Sequence, residues 1–128
     1  YAAAYAEVRE TGKIYLATDS SIVMKNITEQ WPPNLAQRMI TQPSVLISSS
    51  GAPVFDIGPH HRTNTEILVD LYAMAKCDAI LHGHSGVSEA TIYSNRKLHN
   101  CSVDLEDPRR PTVEQFRRML EGGCGGGL

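Results

Sequence analysis

Neither sign of charge dominates this sequence. Twelve Lys and Arg stand against 14 Asp and Glu, a formal net charge of −2. That leaves no strong field to gather DNA, RNA or an anionic membrane, so nucleic acid is not an expected partner. No apolar run is long enough to cross a bilayer as a helix, and no secretory signal peptide is visible. Cysteine is scarce: Cys77, Cys101 and Cys124 are the only three, and none shares a CxxC spacing. A zinc knuckle is thereby disfavoured. An odd count also argues against a self-contained disulfide framework, while leaving room for one pair. No segment repeats another.

What is present suits one globular domain with a modest core: 128 residues, 41% hydrophobic and 20% charged. The chain opens at Tyr1 inside a helix-like stretch, so it reads as a piece of a longer protein with any targeting segment upstream. Asn26-Ile27-Thr28 and Asn100-Cys101-Ser102 match the glycosylation sequon and permit a secretory location.

Along the chain, an Ala-rich helix over 1–10 closes on Thr11-Gly12, where glycine suits the left-handed position after a helix. Lys13 to Ala17 is of strand type. Thr18-Asp19-Ser20-Ser21 supplies capping residues for a helix over Ile22 to Trp31, which Pro32-Pro33 stops. A polar connection leads to a second strand, Ser44 to Ser48, and Gly51 to Arg62 reads as a loop. Thr63-Asn64-Thr65-Glu66 has capping-box spacing, and Ile67, Leu68, Leu71, Tyr72, Met74 and Ala75 form one helical stripe behind it. Ala79 to His82 is a third strand, Ser85 to Tyr93 the next helix, and Val103 to Leu105 a short fourth strand. Thr112-Val113-Glu114-Gln115 again has capping-box spacing. It precedes a narrow apolar face of Val113, Phe116, Met119 and Leu120 and a Gly-rich tail, expected to be flexible.

Strands alternating with amphipathic helices imply a parallel sheet with crossover helices, an α/β fold. Ligands of such sheets collect beyond the carboxyl ends of the strands. Three places qualify: Thr18-Asp19-Ser20, Ser48-Ser49-Ser50, and His82 to Ser88. At the last, a helix N-terminus offers unpaired N–H groups and a partial positive charge. Ser85 either caps the helix or turns its hydroxyl to a ligand. Gly86 lets an anion approach the backbone, with the amides of Gly86 and Val87 pointing at it, a phosphate-binding design. His82 and His84 alternate like a metal pair, with His60, His61 and Asp56 in a loop as candidates for a third ligand, but no complete ligand set is evident and no metal is expected. Asp19 is either an N-cap or an acceptor for a ligand's donors. The Ser48-Ser49-Ser50 run either contacts a base or ribose or is a solvated strand exit.

"KIYLATDS" resembles the strand and acidic turn of the GDP-fucose-dependent fucosyltransferases, both the α-1,6-type and the protein O-fucosyltransferases. "EILVDLYAMAKCDAILHGHSGVSEATIY" is similar to their later motif, a helix and apolar strand running into a Ser-containing turn and another helix. The ordered pair covers about Gly12 to Leu105. The resemblance implies a GT-B architecture, two Rossmann-like domains with the nucleotide sugar between them. This chain would supply most of the C-terminal one: a nucleotide-sugar-binding domain over 1–107, then a C-terminal helix and tail over 108–128. It implies that Ser85, with the Gly86 and Val87 amides, holds the GDP diphosphate; the His84 imidazole, by its own chemistry, either hydrogen-bonds a ligand there or neighbouring backbone. It further implies that Asp19 is the acidic residue needed at the donor site, and that Ser49 falls near an Asp that reads guanine in the α-1,6 enzymes. Serine at 49 departs from that pattern. So does Gly86, where those enzymes have Gln. The family's Arg-bearing HxRR-like segment has no counterpart here.

The implied chemistry is transfer of fucose from GDP-fucose to a glycan or protein hydroxyl, with charge on the leaving diphosphate neutralised by helix amides and without a divalent metal. The implied location is the Golgi or endoplasmic reticulum lumen, through an anchor outside this chain. Two other readings are a catalytically inactive nucleotide-binding module of the same fold and a flavodoxin-like signalling domain. The latter usually clusters several acids at strand ends, where this chain has Asp19.

Overall fold

The computed structural model describes residues 1–43 and 60–124. The expected strand Ser44 to Ser48, Ser49, Asp56, most of the Gly51 to Arg62 loop and the last residues of the tail lie outside them. The described residues form a small α/β protein with two short pairs of parallel strands. The chain divides into two units, Tyr1–Gly12 with Leu71–Leu128, and Lys13–Asp70.

The first unit is built on helix-to-helix packing beside a strand pair. α1, Ala2–Val8, puts Ala4 into the core, flanked by Tyr1, Tyr5 and Val8, all on one helical face. α6, Val113–Glu121, answers with Phe116 and Leu120, exposed by 1% and 0%. The Tyr1 and Phe116 rings meet edge to face, centroids 5.5 Å apart at 78°. Around this contact, Tyr1 Oη donates to Pro111 O, Arg9 donates to Leu120 O (3.1 Å), and Arg117 bridges Glu7 (2.6 Å) and Glu114 (2.8 Å). The start of α6 is the expected capping box. Thr112 Oγ1 accepts from Gln115 N (3.2 Å), and Gln115 Oε1 accepts from Thr112 N (2.7 Å).

β3, Ile80–His82, and β4, Ser102–Asp104, run parallel with Ile80 opposite Ser102, Leu81 opposite Val103 and His82 opposite Asp104. Val103 is fully buried against the α1–α6 core. The crossover between these strands is α5, Gly86–Ser94, followed by a 3-10 turn over Arg96–Asn100 that buries Leu98.

Two expectations in this unit change. The chain after α1 does not use Gly12 in a left-handed conformation. Helix α1 ends at Arg9 (φ −115°, ψ 83°), and a Cβ on Gly12 would lie 2.8 Å from the Tyr5 ring. Glycine is there to let the ring pass. Within the tail, Gly123 and Cys124 are held in place: they adopt φ of 74° and 48°, Cys124 N donates to Met119 O (3.0 Å), and Cys124 is disulfide-bonded to Cys101.

In the second unit, β1, Ile14–Tyr15, pairs in parallel with β2, Met39–Ile40. Between them lie α2, Ser21–Gln30, and a single turn α3, Pro33–Ala36. The stretch expected as a polar connection thus carries a helical turn and a strand. α2 stops at Trp31, held extended by the prolines after it, and Pro33 then starts α3 at a position where a missing N–H costs nothing. Gln42 donates to Asp70 Oδ1 (3.0 Å) and to Glu66 O (3.1 Å), and Tyr15 Oη donates to the same Asp70 oxygen (2.6 Å).

α4, His60–Ala75, crosses the unit boundary. Its first turn takes in His60, His61 and Arg62, which were expected in a loop. Thr63 is accordingly inside the helix and buried, not its cap. The apolar stripe is only partly covered: Ile67, Leu71, Met74 and Ala75 are half-buried, while Leu68 and Tyr72 are exposed.

Candidate functional site

The carboxyl ends of β3 and β4 bring together the best-defined cluster of polar groups. β3 stops at His82 because Gly83 and His84 leave the ladder, and Leu105 N closes the pair with a bond to His82 O (2.7 Å). Gly83 is packed under Glu106, whose Oε1 would sit 2.7 Å from an added Cβ. His82 Nδ1 lies 3.0 Å from Gly83 O, within reach of an Nδ1–H.

His84 stands just beyond, between two carboxylates. Its Nε2 is 2.8 Å from Asp104 Oδ2 and its Nδ1 is 3.3 Å from Glu106 Oε2. Both contacts are hydrogen bonds only when both ring nitrogens carry protons. The imidazole is largely exposed, so the pair of contacts orients the ring more than it stabilises the fold. Asp104 and Glu106 belong to no motif of the sequence. Their signal was an acidic run, Asp104-Leu105-Glu106-Asp107, directly after the apolar Val103 of a strand.

Asp104 is held below the usual carboxylate range. The main cause is the Glu106 N–H, which donates to Asp104 Oδ1 at 2.9 Å; positive charge on His84 and His82 adds to it. A carboxyl lowered in the folded state contributes stability that is fully present above its unfolded value, about 3.9, and is lost as pH falls through the lower folded value. The turn after β4 should therefore hold its structure down to about pH 4 and loosen below it. Amide exchange at Glu106 N measured against pH checks this. Asp104→Asn keeps the acceptor oxygen and should flatten the profile.

Ser85 is the N-cap of α5, with extended backbone (φ −155°, ψ 135°) and Oγ accepting from Val87 N at 3.2 Å. Glu89 N donates to Ser85 O (3.1 Å), the first intrahelical bond of α5. The Val87 amide is thus already engaged by the capping hydroxyl, whose own proton takes no part in that bond. Gly86 is exposed, and no heavy atom lies within 4 Å of where a Cβ would stand. The corner offers a guest the Ser85 hydroxyl, open space over the first helical turn and an oriented imidazole. It also carries the negative charges of Asp104 and Glu106, with Glu89 in the first helical turn.

His84, Ser85, Gly86 and Val87 are contiguous here. Asp19 belongs to the other unit and is exposed at the amino end of α2. It is not the N-cap: Ser20 is, its Oγ accepting from Val23 N (3.4 Å), while Thr18 Oγ1 accepts from Ser20 N (3.1 Å). Ser49 lies outside the described residues. Among the described residues no three His, Cys, Asp or Glu side chains are grouped to hold a metal. A shallow depression elsewhere in the first unit, between Tyr5, Val8, Gly12 and Asp78, contains none of the expected site residues. No family model, curated protein or solved structure matches the chain, so its functional reading rests on the corner after β3 and on the ordered motifs of the sequence.

Proposed function

We propose that the chain is the donor-binding portion of a GDP-fucose-dependent fucosyltransferase, one Rossmann-like half of a GT-B enzyme of the Golgi or endoplasmic reticulum lumen. The supporting observation is the corner after β3: Ser85 caps α5 while the space beside Gly86 stays empty. In this reading the Ser85 O–H and the Gly86 amide face the diphosphate of the donor, with His84 alongside. As the bond between fucose C1 and the diphosphate oxygen breaks, these donors and the positive end of α5 stabilise the charge on the leaving GDP. The acceptor hydroxyl, of a glycan or a protein, forms the new bond to C1 and gives up its proton to water. Asp19, in the other unit, is by resemblance the acid of the ATD turn. Fucose transfer needs no metal in this scheme.

Calorimetry of the full-length protein with GDP, UDP and ADP tests the donor. GDP should bind well below millimolar and ahead of the other two; equal millimolar binding of all three overturns the reading. A Cβ at Gly86 meets nothing beyond its own helix backbone and chain neighbours, and the residue sits in the first turn of an exposed helix end, so the fold should hold in Gly86→Val. GDP affinity should fall tenfold or more, about 1.4 kcal/mol. Unchanged affinity would place the phosphates elsewhere.

A second reading is a nucleotide-binding module of the same fold without catalysis. It is favoured by the engagement of the Val87 amide and by the two carboxylates on His84, which leave fewer donors for a transition state. GDP binding that survives Asp19→Asn, together with no fucose transfer by the wild type, would select it.

A further inference from the structure

We propose that Asn100 is an N-glycosylation site whose occupancy is decided by a race against the Cys101–Cys124 disulfide. The inference rests on the lumenal location proposed above, and not on the transferase activity. The sequon is Asn100-Cys101-Ser102, so its middle residue is itself one half of the disulfide. A disulfide in a chain of this size fits an oxidising compartment, where the glycosylation machinery also resides. In the folded protein Asn100 is exposed at the end of the 3-10 turn, so an attached glycan has room.

The folded sequon, however, is closed to a transferase. Such an enzyme must lay the amide and the hydroxyl of the three residues along its own site. Here Cys101 is fully buried; its N–H donates to Leu98 O (3.0 Å) and its carbonyl accepts from Ile80 N (3.0 Å). Ser102 is in the β ladder opposite Ile80, and its Oγ donates to His99 O (3.4 Å). Transfer must therefore precede closure. In it, Asn100 Nδ2 attacks the anomeric carbon of an oligosaccharide carried on a lipid diphosphate. A C–N bond forms, the C–O bond to the diphosphate breaks, the amide loses one proton and the lipid diphosphate leaves. Closure is the competing reaction: two thiols give two protons and two electrons to a thiol–disulfide oxidoreductase.

Cys124 lies 23 residues after Cys101. At about 5–20 residues per second it emerges roughly 1–5 s later, and disulfide formation then takes seconds or longer. The two reactions have overlapping windows, so Asn100 should be occupied in part of the molecules. The second sequon supplies an internal control. Asn26 is exposed in α2, and no cysteine adjoins it.

The test is site-resolved mass spectrometry of glycan occupancy on the full-length protein expressed in eukaryotic cells, before and after enzymatic deglycosylation. Partial occupancy at Asn100 in the wild type, rising to near-complete in Cys124→Ser with Asn26 unchanged, is the expected result. Phe116→Ala loosens the same core but keeps both cysteines, and should raise occupancy less than Cys124→Ser. An equal rise would show that loss of folding, not the covalent bond, opens the sequon, and would overturn the race. Full occupancy regardless of Cys124 would overturn it too. An empty Asn100 in every variant, with the disulfide formed or Asn26 glycosylated, removes the site but leaves the compartment. An empty Asn100, an empty Asn26 and reduced cysteines remove the lumenal location and the proposal together.

Discussion

Phe116→Ala should cost the first unit about 3–5 kcal/mol, the largest effect expected of any single truncation in this chain. Phe116 is 1% exposed, lies in the cluster with Ala4, Cys101, Val103 and Leu120, and takes the Tyr1 ring edge-on. Removing it deletes the apolar area that joins α1 to α6 and leaves a cavity that neighbours on two elements must collapse to fill. Domains carry roughly 0.05–0.15 kcal/mol of stability per residue, so a unit of this size has little to spare. The variant should melt early in urea and lose much of its near-ultraviolet dichroism. Val113→Ala, on the same helix but 45% exposed, is the comparison. It should move the midpoint only slightly, since the side chain is exposed and neither capping bond uses it, and such a surface change stays within about 0.5 kcal/mol. Equal shifts for the two variants would mean that α6 does not face the core through Phe116.

That core was largely readable. The apolar face of α6 announces itself by period, and the Thr112–Gln115 pair marks where the helix starts because both reciprocal bonds can form once Pro111 precedes it. β3, β4 and the Ser85 cap were legible for the same reason: each is set by neighbours within a few residues. The misses are places where a distant or competing contact decides. Thr63 and Glu66 have the same spacing as Thr112 and Gln115, yet Thr63 is buried inside α4, and Glu66 pairs with Arg62 one turn earlier at 2.8 Å. A helix that begins before the motif leaves the box nothing to cap. Gly12 was assigned to backbone freedom when its role is to clear the Tyr5 ring. β2 is two residues long, too short for any periodicity to show. At the amino end of α2, four capping residues stand in a row; only the backbone path selects Ser20, and this removes N-capping as the explanation of Asp19. The corner after β3 was located by sequence, but its charge was not. Asp104 and Glu106 come from the neighbouring strand, and parallel pairing brings them to His84 from twenty residues away.

Loss of the Cys101–Cys124 bridge should be the second-largest effect, about 3 kcal/mol. The closed loop spans 23 positions with Cα atoms 5.2 Å apart, and in the chain-entropy view the bond acts by restricting the unfolded ensemble. Cys124→Ala is the cleaner variant, because Cys101 is fully buried and its truncation would add a cavity. Reductant added to the wild type should lower the urea midpoint to that of Cys124→Ala, and should leave the variant unmoved. Cys77, the remaining thiol, is half-buried; burial, then the Asp78 charge, pushes its pKa up, so it stays protonated and slow to alkylate near neutral pH. Its modification therefore does not confuse the comparison. Cys124 also sits at φ 48°, a conformation that costs a non-glycine residue on the order of 1 kcal/mol. Cys124→Gly removes the bridge and that cost together, and should recover part of the loss seen in Cys124→Ala. If Gly and Ala at 124 were equally unstable, the left-handed turn would have dissolved with the bond, and the disulfide would be what holds the end of α6 in place. If Gly were the more stable, the turn would persist through the Cys124 N–H bond to Met119 O, and the bridge would act on the unfolded chain alone.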